Sequence, residues 1–269
     1  MSSTSASRGV LVTGASRGIG AAVARAFAAR GDRVAVGYRG AHDRAEEVLA
    51  SLDGAGHLAV GADVADPAEV ARMVDEAVGG LGRVDVLVNN AALFTSDPAG
   101  GSRRIDHPLD ESDYDHWVSA WRRTIEVNLL GTANVTWCVA RHMLAAPPAD
   151  GLPRGRVVNV GSRGAYRGEP DVPAYGASKA GVHALGQSLA VSLGRHGIAV
   201  TSVAPGFVAT DMASSVLDSP AGDAVRAQSP FGRVAEPEEV ASAVLWLASP
   251  EAEWASGAVL DLNGASYLR

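Results

Sequence analysis

Lysine is almost missing from this chain: of 23 Lys and Arg residues only one, Lys179, is lysine. Where arginine serves as the cation everywhere else, a lone lysine marks a place that wants a compact ammonium rather than a guanidinium. Cysteine is equally scarce. The single Cys138 excludes an intrachain disulfide and suits a reducing compartment, its thiol packed within an apolar helical run. No uninterrupted apolar stretch approaches the roughly 18 residues of a membrane-spanning helix. Positive charge is in deficit, with a net charge of −7, which argues against nucleic acid as the partner. Residues 1–8 are Ser-rich and lack the apolar core of a secretory signal, so they are expected to form a disordered lead-in. A soluble, cytoplasmic protein is the expectation.

What the chain has is glycine, 31 residues of it, and 47% hydrophobic residues in 269, enough to bury a large core without a disulfide or metal staple. Short apolar runs alternate with helical patterns. Strands are expected at 9–13, 33–38, 57–61, 84–88, 156–160, 199–203 and 258–262. Helices are expected at 19–30, 42–52, 67–78, 114–143, 173–196 and 237–248. Pro67 opens one helix at its first turn, and Gly31 stops another. Neither a repeat nor a linker divides the chain, so residues 9–269 read as one domain. It carries a long polar loop at 93–112 and, at 206–233, an irregular, partly helical segment expected to be a substrate loop. Alternating strands and helices predict a single-domain α/β fold: a Rossmann-like, doubly wound parallel sheet of about seven strands with helices on both faces. Thr13, Asn89, Ser162 and Pro205 each follow a strand, which gathers them at the sheet edge where such folds bind ligands.

Two stretches carry chemistry. Thr13-Gly14-Ala15-Ser16-Arg17-Gly18-Ile19-Gly20 is a glycine-rich turn opening a helix, where backbone N–H groups can approach a pyrophosphate. Its spacing is Gly-x-x-x-Gly-x-Gly. In the second, Tyr175 and Lys179 lie four apart after Pro173, on one face of a helix and one turn from each other. A phenol titrates too high to exchange protons well at neutral pH, and a neighbouring cation is expected to favour its ionised form. Taken alone, such a pair reads as an ordinary surface pair.

With Asn89-Asn90-Ala91, Asn128, Ser162 and Pro205-Gly206 in the same order and rough spacing, the chain resembles the short-chain dehydrogenase/reductase family over nearly its whole length. The resemblance implies a catalytic set of Asn128, Ser162, Tyr175 and Lys179. Tyr175 would be the general acid/base, and Ser162 would hydrogen-bond the substrate oxygen. Lys179 would bind the nicotinamide ribose and favour the tyrosinate, while Asn128 would hold a relay water. It also implies cofactor contacts from Gly14, Ser16, Arg17, Gly18, Ile19, Gly20, Asn90, Ala91, Tyr175, Lys179, Pro205, Gly206 and Val208. Asp63 and Val64 would touch the adenine and Thr210 the carboxamide.

The second strand ends Gly37-Tyr38-Arg39 without the carboxylate that would take an NAD ribose, and Arg17 sits in the glycine turn. Two arginines and no acid suit a 2′-phosphate, so NADP(H) is preferred, with NAD(H) still possible. The implied reaction is hydride exchange between nicotinamide and a small carbonyl or alcohol substrate. A non-catalytic NADP-binding sensor of the same fold is the alternative. Reduction of 3-oxoacyl thioesters competes with action on sugars, steroids, pteridines or polyketide-like ketones; Arg163 and Arg167 would face an anionic substrate or solvent. A homotetramer or homodimer is implied.

Overall fold

A computed structural model describes residues 7–94, 106–147 and 154–269. Seven strands form one sheet: β1 (Gly9–Val12), β2 (Arg33–Tyr38), β3 (Leu58–Gly61), β4 (Val86–Asn89), β5 (Gly155–Val160), β6 (Ile198–Pro205) and β7 (Val259–Leu262). Their order is β3-β2-β1-β4-β5-β6-β7, and every neighbouring pair is parallel. The order reverses between β1 and β4, the switch point beside which open α/β sheets bind ligands.

Alternation along the strands builds two cores. Val10 and Val12 of β1, with Val34, Val36, Val86 and Val88, pack under α1 (Gly18–Ala29), α2 (His42–Ala50) and, further along the chain, Pro237–Leu247. Leu11, Ala35, Val60 and Leu87 point to the other face. They meet α3 (Pro67–Leu81), α4 (Tyr114–Ile125), α5 (Thr132–Ala145) and the C-terminal part of the helix Pro173–Gly194. Buried on both faces, the central strands read as continuous β-branched runs. After α5 the helices are α6 (Gly164–Arg167), α7 (Pro173–Gly194), α8 (Asp211–Leu217), α9 (Gly222–Arg226) and α10 (Pro237–Leu247).

Three expectations are refined. The helical run expected over 114–143 is not one regular helix. A π-helical segment, Glu126–Gly131, separates α4 from α5 and carries Asn128; local wide turns of this kind re-aim side chains in ways that 3.6-residue periodicity does not reveal. The 206–233 segment contains α8 and α9. Of the expected lead-in, residues 1–6 lie outside the described residues. Arg8 is buried, with its guanidinium 2.7 Å from the Asp32 carboxylate. Most of the 93–112 loop likewise lies outside the described residues. Among the described residues no helix is long and apolar enough to cross a membrane, and no group of His, Cys, Asp and Glu is placed to hold a metal ion.

Candidate active site

The glycine turn leaves β1 at Thr13, whose Oγ1 accepts hydrogen bonds from the N–H groups of Asn90 (3.0 Å) and Ala91 (3.1 Å) at the end of β4. Asn90 Nδ2 donates to the carbonyls of Thr13 and Gly14, both at 3.0 Å, so the two strand ends are stitched together. Gly14 (φ +64°) and Gly18 (φ +53°) occupy the left-handed region that favours glycine. Gly20 is required by space: a Cβ there would press on the Gly14 carbonyl, 2.6 Å from Asn90 Nδ2 and 2.8 Å from Ala15 Cα. No side chain caps the start of α1, which leaves its first N–H groups for an anion.

These residues wall a cleft of about 620 Å³ lined by Gly14, Ser16, Arg17, Gly18, Ile19, Arg39, Asp63, Val64, Asn90, Ala91 and Thr210. Gly20 lies behind this wall. The extended cleft, glycine cradle and uncapped helix fit a dinucleotide, and the arginines at its far end fit a phosphate. The Arg39 guanidinium is 3.3 Å from the Asp63 carboxylate, which Arg123 also meets at 2.8 Å. Burial would raise the Asp63 carboxyl, but the hydrogen bonds from Arg123 and the Ala65 N–H, with both arginine charges, hold it below the usual range. Sequence reading did not find Arg44, which lines the same cleft and ion-pairs with Asp211 of α8 at 2.8 Å. That pair is 167 residues apart in the chain.

A second, smaller cavity of about 130 Å³ opens beside the first and shares Ile19, Asn90, Ala92, Thr210 and Met212 with it. Ser162, Tyr175, Lys179, Pro205, Gly206 and Val208 converge on it from three separate stretches of chain. Ser162 follows β5, and its Oγ accepts the Gly164 N–H at 3.0 Å. The Tyr175 ring packs edge-on against Phe94, with centroids 4.8 Å apart. His107 steadies the start of α7: its Nε2 accepts the Ala174 N–H at 3.2 Å, and its backbone N–H reaches the Asp171 carbonyl at 2.8 Å.

The electrostatics differ from the sequence expectation. Burial pushes the Tyr175 phenol up to about 12, the Ser162 hydrogen bond opposes this, and the charge of Glu169 adds to it. Lys179 does not reverse the balance. Its Nζ lies 5.8 Å from the ring centroid, and burial lowers its own pKa to about 8. The phenol is therefore held protonated at neutral pH. Asn128 lines neither cavity. Its Nδ2 donates to the Leu93 carbonyl and to Ser178 Oγ, both at 3.0 Å, and its Oδ1 accepts the Leu93 N–H at 2.8 Å. Ser178 Oγ in turn donates to the Tyr175 carbonyl at 2.8 Å, so Asn128 braces the helix that presents the phenol.

Arg163 and Glu169 also line this cavity, and Arg167 lies outside it. Arg163 is not solvated: it is 3% exposed, stacks over Phe207 at 5.3 Å, and donates to Gln228 Oε1 at 2.6 Å and to Ser266. Arg167 is exposed and donates to the same Gln228 oxygen at 2.7 Å. Glu169, which the sequence did not single out, lines the cavity with Phe94 and Phe207.

A family model described as enoyl-(acyl carrier protein) reductase matches residues 14–264. The chain is 40% identical to a cis-4-hydroxycyclohexanecarboxylate dehydrogenase of Sinomonas cyclohexanicum, over 96% of each chain. It is 35% identical to a 3-oxoacyl-[acyl-carrier-protein] reductase of Staphylococcus epidermidis, over 97% of this chain and 99% of that one. Among solved structures, a short-chain dehydrogenase from Burkholderia cenocepacia in complex with NADP superposes with a TM-score of 0.81 at 34% identity, covering 96% of this chain and 97% of the other. With the glycine cradle and the Ser162–Tyr175–Lys179 cluster in one crevice of a seven-stranded parallel sheet, this chain belongs to the short-chain dehydrogenase/reductase family of oxidoreductases.

Proposed function

We propose that the chain is an NADP(H)-dependent carbonyl reductase, or the matching alcohol dehydrogenase, in which Tyr175 exchanges the proton. The observation that carries this reading is the convergence of Ser162, Tyr175 and Lys179 on one small cavity that opens into the glycine-lined cleft. Bound in that cleft, the nicotinamide would supply or accept the hydride. Everything else falls to the side chains.

A substrate carbonyl oxygen would sit between the Ser162 hydroxyl and the Tyr175 phenol. A phenol pushed up to about 12 keeps its proton until the oxygen becomes a strong base, which matches the role of acid in the reductive direction. The ammonium of Lys179, 5.8 Å from the centre of the phenol ring, would then stabilise the phenolate left behind in buried surroundings where charge is poorly screened. Its hydrogen bond to the Val160 carbonyl (2.8 Å) fixes it in place for that role. Asn128 is proposed to anchor the relay water behind Lys179, from a segment already tied to Leu93 and Ser178.

The preference for NADP(H) over NAD(H) rests on Arg17 and Arg39 at the cleft and on the absence of an acid at the end of β2. The cofactor contacts named from the sequence are proposed with it. A homotetramer or homodimer in the cytoplasm completes the proposal; Trp137 of α5 (67% exposed) and Val191 of α7 (85%) are apolar surface of the kind an assembly would cover. The test is Tyr175→Phe assayed for NADPH oxidation against a panel of ketones. Turnover is expected to fall at least ~100-fold with NADPH binding within a few-fold of the parent. Near-normal turnover would remove Tyr175 from the mechanism.

A further inference from the structure

The cavity beside Tyr175 holds a carboxyl group that the acid–base reading does not use. Glu169 follows Gly168, whose φ of +82° turns the chain back after α6. Its side chain folds onto Gly164: a Cβ on that glycine would lie 2.7 Å from Glu169 Oε1 and 3.0 Å from its Cγ. Glycine at 164 thus makes the seat, two residues from Ser162, and the carboxyl lines the same cavity as Ser162 and Tyr175.

Among the described residues nothing donates to this carboxyl. The neighbouring guanidiniums bond elsewhere, Arg163 to Gln228 and Ser266, Arg167 to Gln228. Burial raises the Glu169 carboxyl, with the charges of Arg163 and Arg167 opposing and Asp171 adding to the rise. A carboxyl taken partly out of water without a partner is costly, and a ligand that donates a hydrogen bond to it recovers that cost.

We infer that Glu169 receives a second hydroxyl of the substrate, so that the carbonyl compounds this chain takes are hydroxyketones, and in reverse diols, rather than plain ketones. The choice of ligand follows from the walls. An anionic group would face the carboxyl itself. A cationic one would enter beside Arg163 and Arg167. A neutral hydroxyl on an apolar body suits a pocket that sets the apolar walls of Phe94, Phe207 and Met212 beside the Glu169 carboxyl, with Arg163 also at its edge. A site built to bond a hydroxyl discriminates strongly against the analogue lacking it, whereas apolar contact alone separates such pairs weakly.

This inference rests on the carbonyl-reductase reading, and its test keeps the two apart. The holoprotein is assayed with 3-hydroxybutan-2-one against butan-2-one, and 2-hydroxycyclohexanone against cyclohexanone. The ratio of kcat/KM within each pair is the readout. The same four compounds are titrated into the NADPH complex by cofactor fluorescence, which needs no turnover. The parent is expected to favour the hydroxyketone by at least ~10-fold. Glu169→Leu is expected to lower that ratio at least tenfold, and Glu169→Gln, which keeps an acceptor, to lower it less than threefold. A parent ratio near one, or a ratio that Glu169→Leu leaves unchanged in both turnover and binding, overturns the assignment. Should Tyr175→Phe keep its turnover while Glu169→Leu lowers the ratio, the acid–base reading fails and the Glu169 assignment stands. If the parent binds no NADPH, both fall.

Discussion

Lys179 Nζ lies 5.8 Å from the centre of the Tyr175 ring and donates to the carbonyl of Val160 at 2.8 Å. The two side chains share a helix face, yet the ammonium is anchored to the end of β5. In the proposed mechanism Lys179 has two tasks, to hold a fixed position and to act by its charge on the phenol once that phenol loses its proton.

The first prediction concerns pH. Burial lowers Lys179 from 10.5 to about 8, so the ammonium is present below pH ~8 and is lost above it. In the reductive direction kcat/KM is expected to decline as pH rises through about 8. Lys179→Met is expected to be slower at least ~10-fold, with that limb removed because there is no charge left to lose. The same shift has a stability sign. Between pH about 8 and 10.5 the unfolded chain binds more proton at this lysine, so its contribution to stability rises with pH across that window. An alkaline limb that persists in Lys179→Met would assign it to another group.

The second concerns the cofactor. Arg39 is held 3.3 Å from Asp63, which Arg123 also engages at 2.8 Å, so its guanidinium is oriented in the cleft rather than swinging in solvent. Arg39→Ala is expected to weaken NADPH binding about 10-fold and NADH binding less than threefold, since a phosphate–guanidinium pair is lost in one case only. Titration of both cofactors by fluorescence checks this. Equal losses would make Arg39 a support for Asp63 instead of a phosphate ligand.

The third concerns the cradle. At Gly20 the surroundings are backbone and a doubly bonded Asn90 amide, neither of which can yield cheaply. Gly20→Ala is expected to cost about 1–3 kcal/mol, as overpacking does, and to weaken NADPH binding by displacing Gly14. Denaturant unfolding and cofactor titration report the two effects separately. Unchanged values in both would mean that the turn has room that its geometry does not show.

The fold was legible because its code is local. Runs such as Val84–Val88 carry the composition of a strand buried on both faces, and Pro67 and Gly31 mark helix ends by their own stereochemistry. Strand ends share one edge in any parallel sheet, so Thr13, Asn89, Ser162 and Pro205 could be gathered before their positions were known. For the candidate site, helical spacing put Tyr175 and Lys179 on one face and glycines marked the cradle, while the other residues came from the resemblance to the family.

Other features depend on what arrives from far along the chain. No local pattern shows that Arg163 is buried against Phe207 and Gln228, 65 residues away, or that Arg123 reaches across 60 residues to Asp63. The π-helical turn at Asn128 has no signature in a periodicity tuned to regular helices. The ionisation of Tyr175 went against the expectation from its helical neighbour, because burial by residues remote in sequence outweighs one cation a turn away. Sequence by itself determined the sheet, the cradle and the identity of the chemical groups. Tertiary structure alone decided how burial shifts their ionisation and, among the described residues, that the Glu169 carboxyl accepts no hydrogen bond, because desolvation and hydrogen-bond satisfaction are properties of a packed site rather than of any one segment.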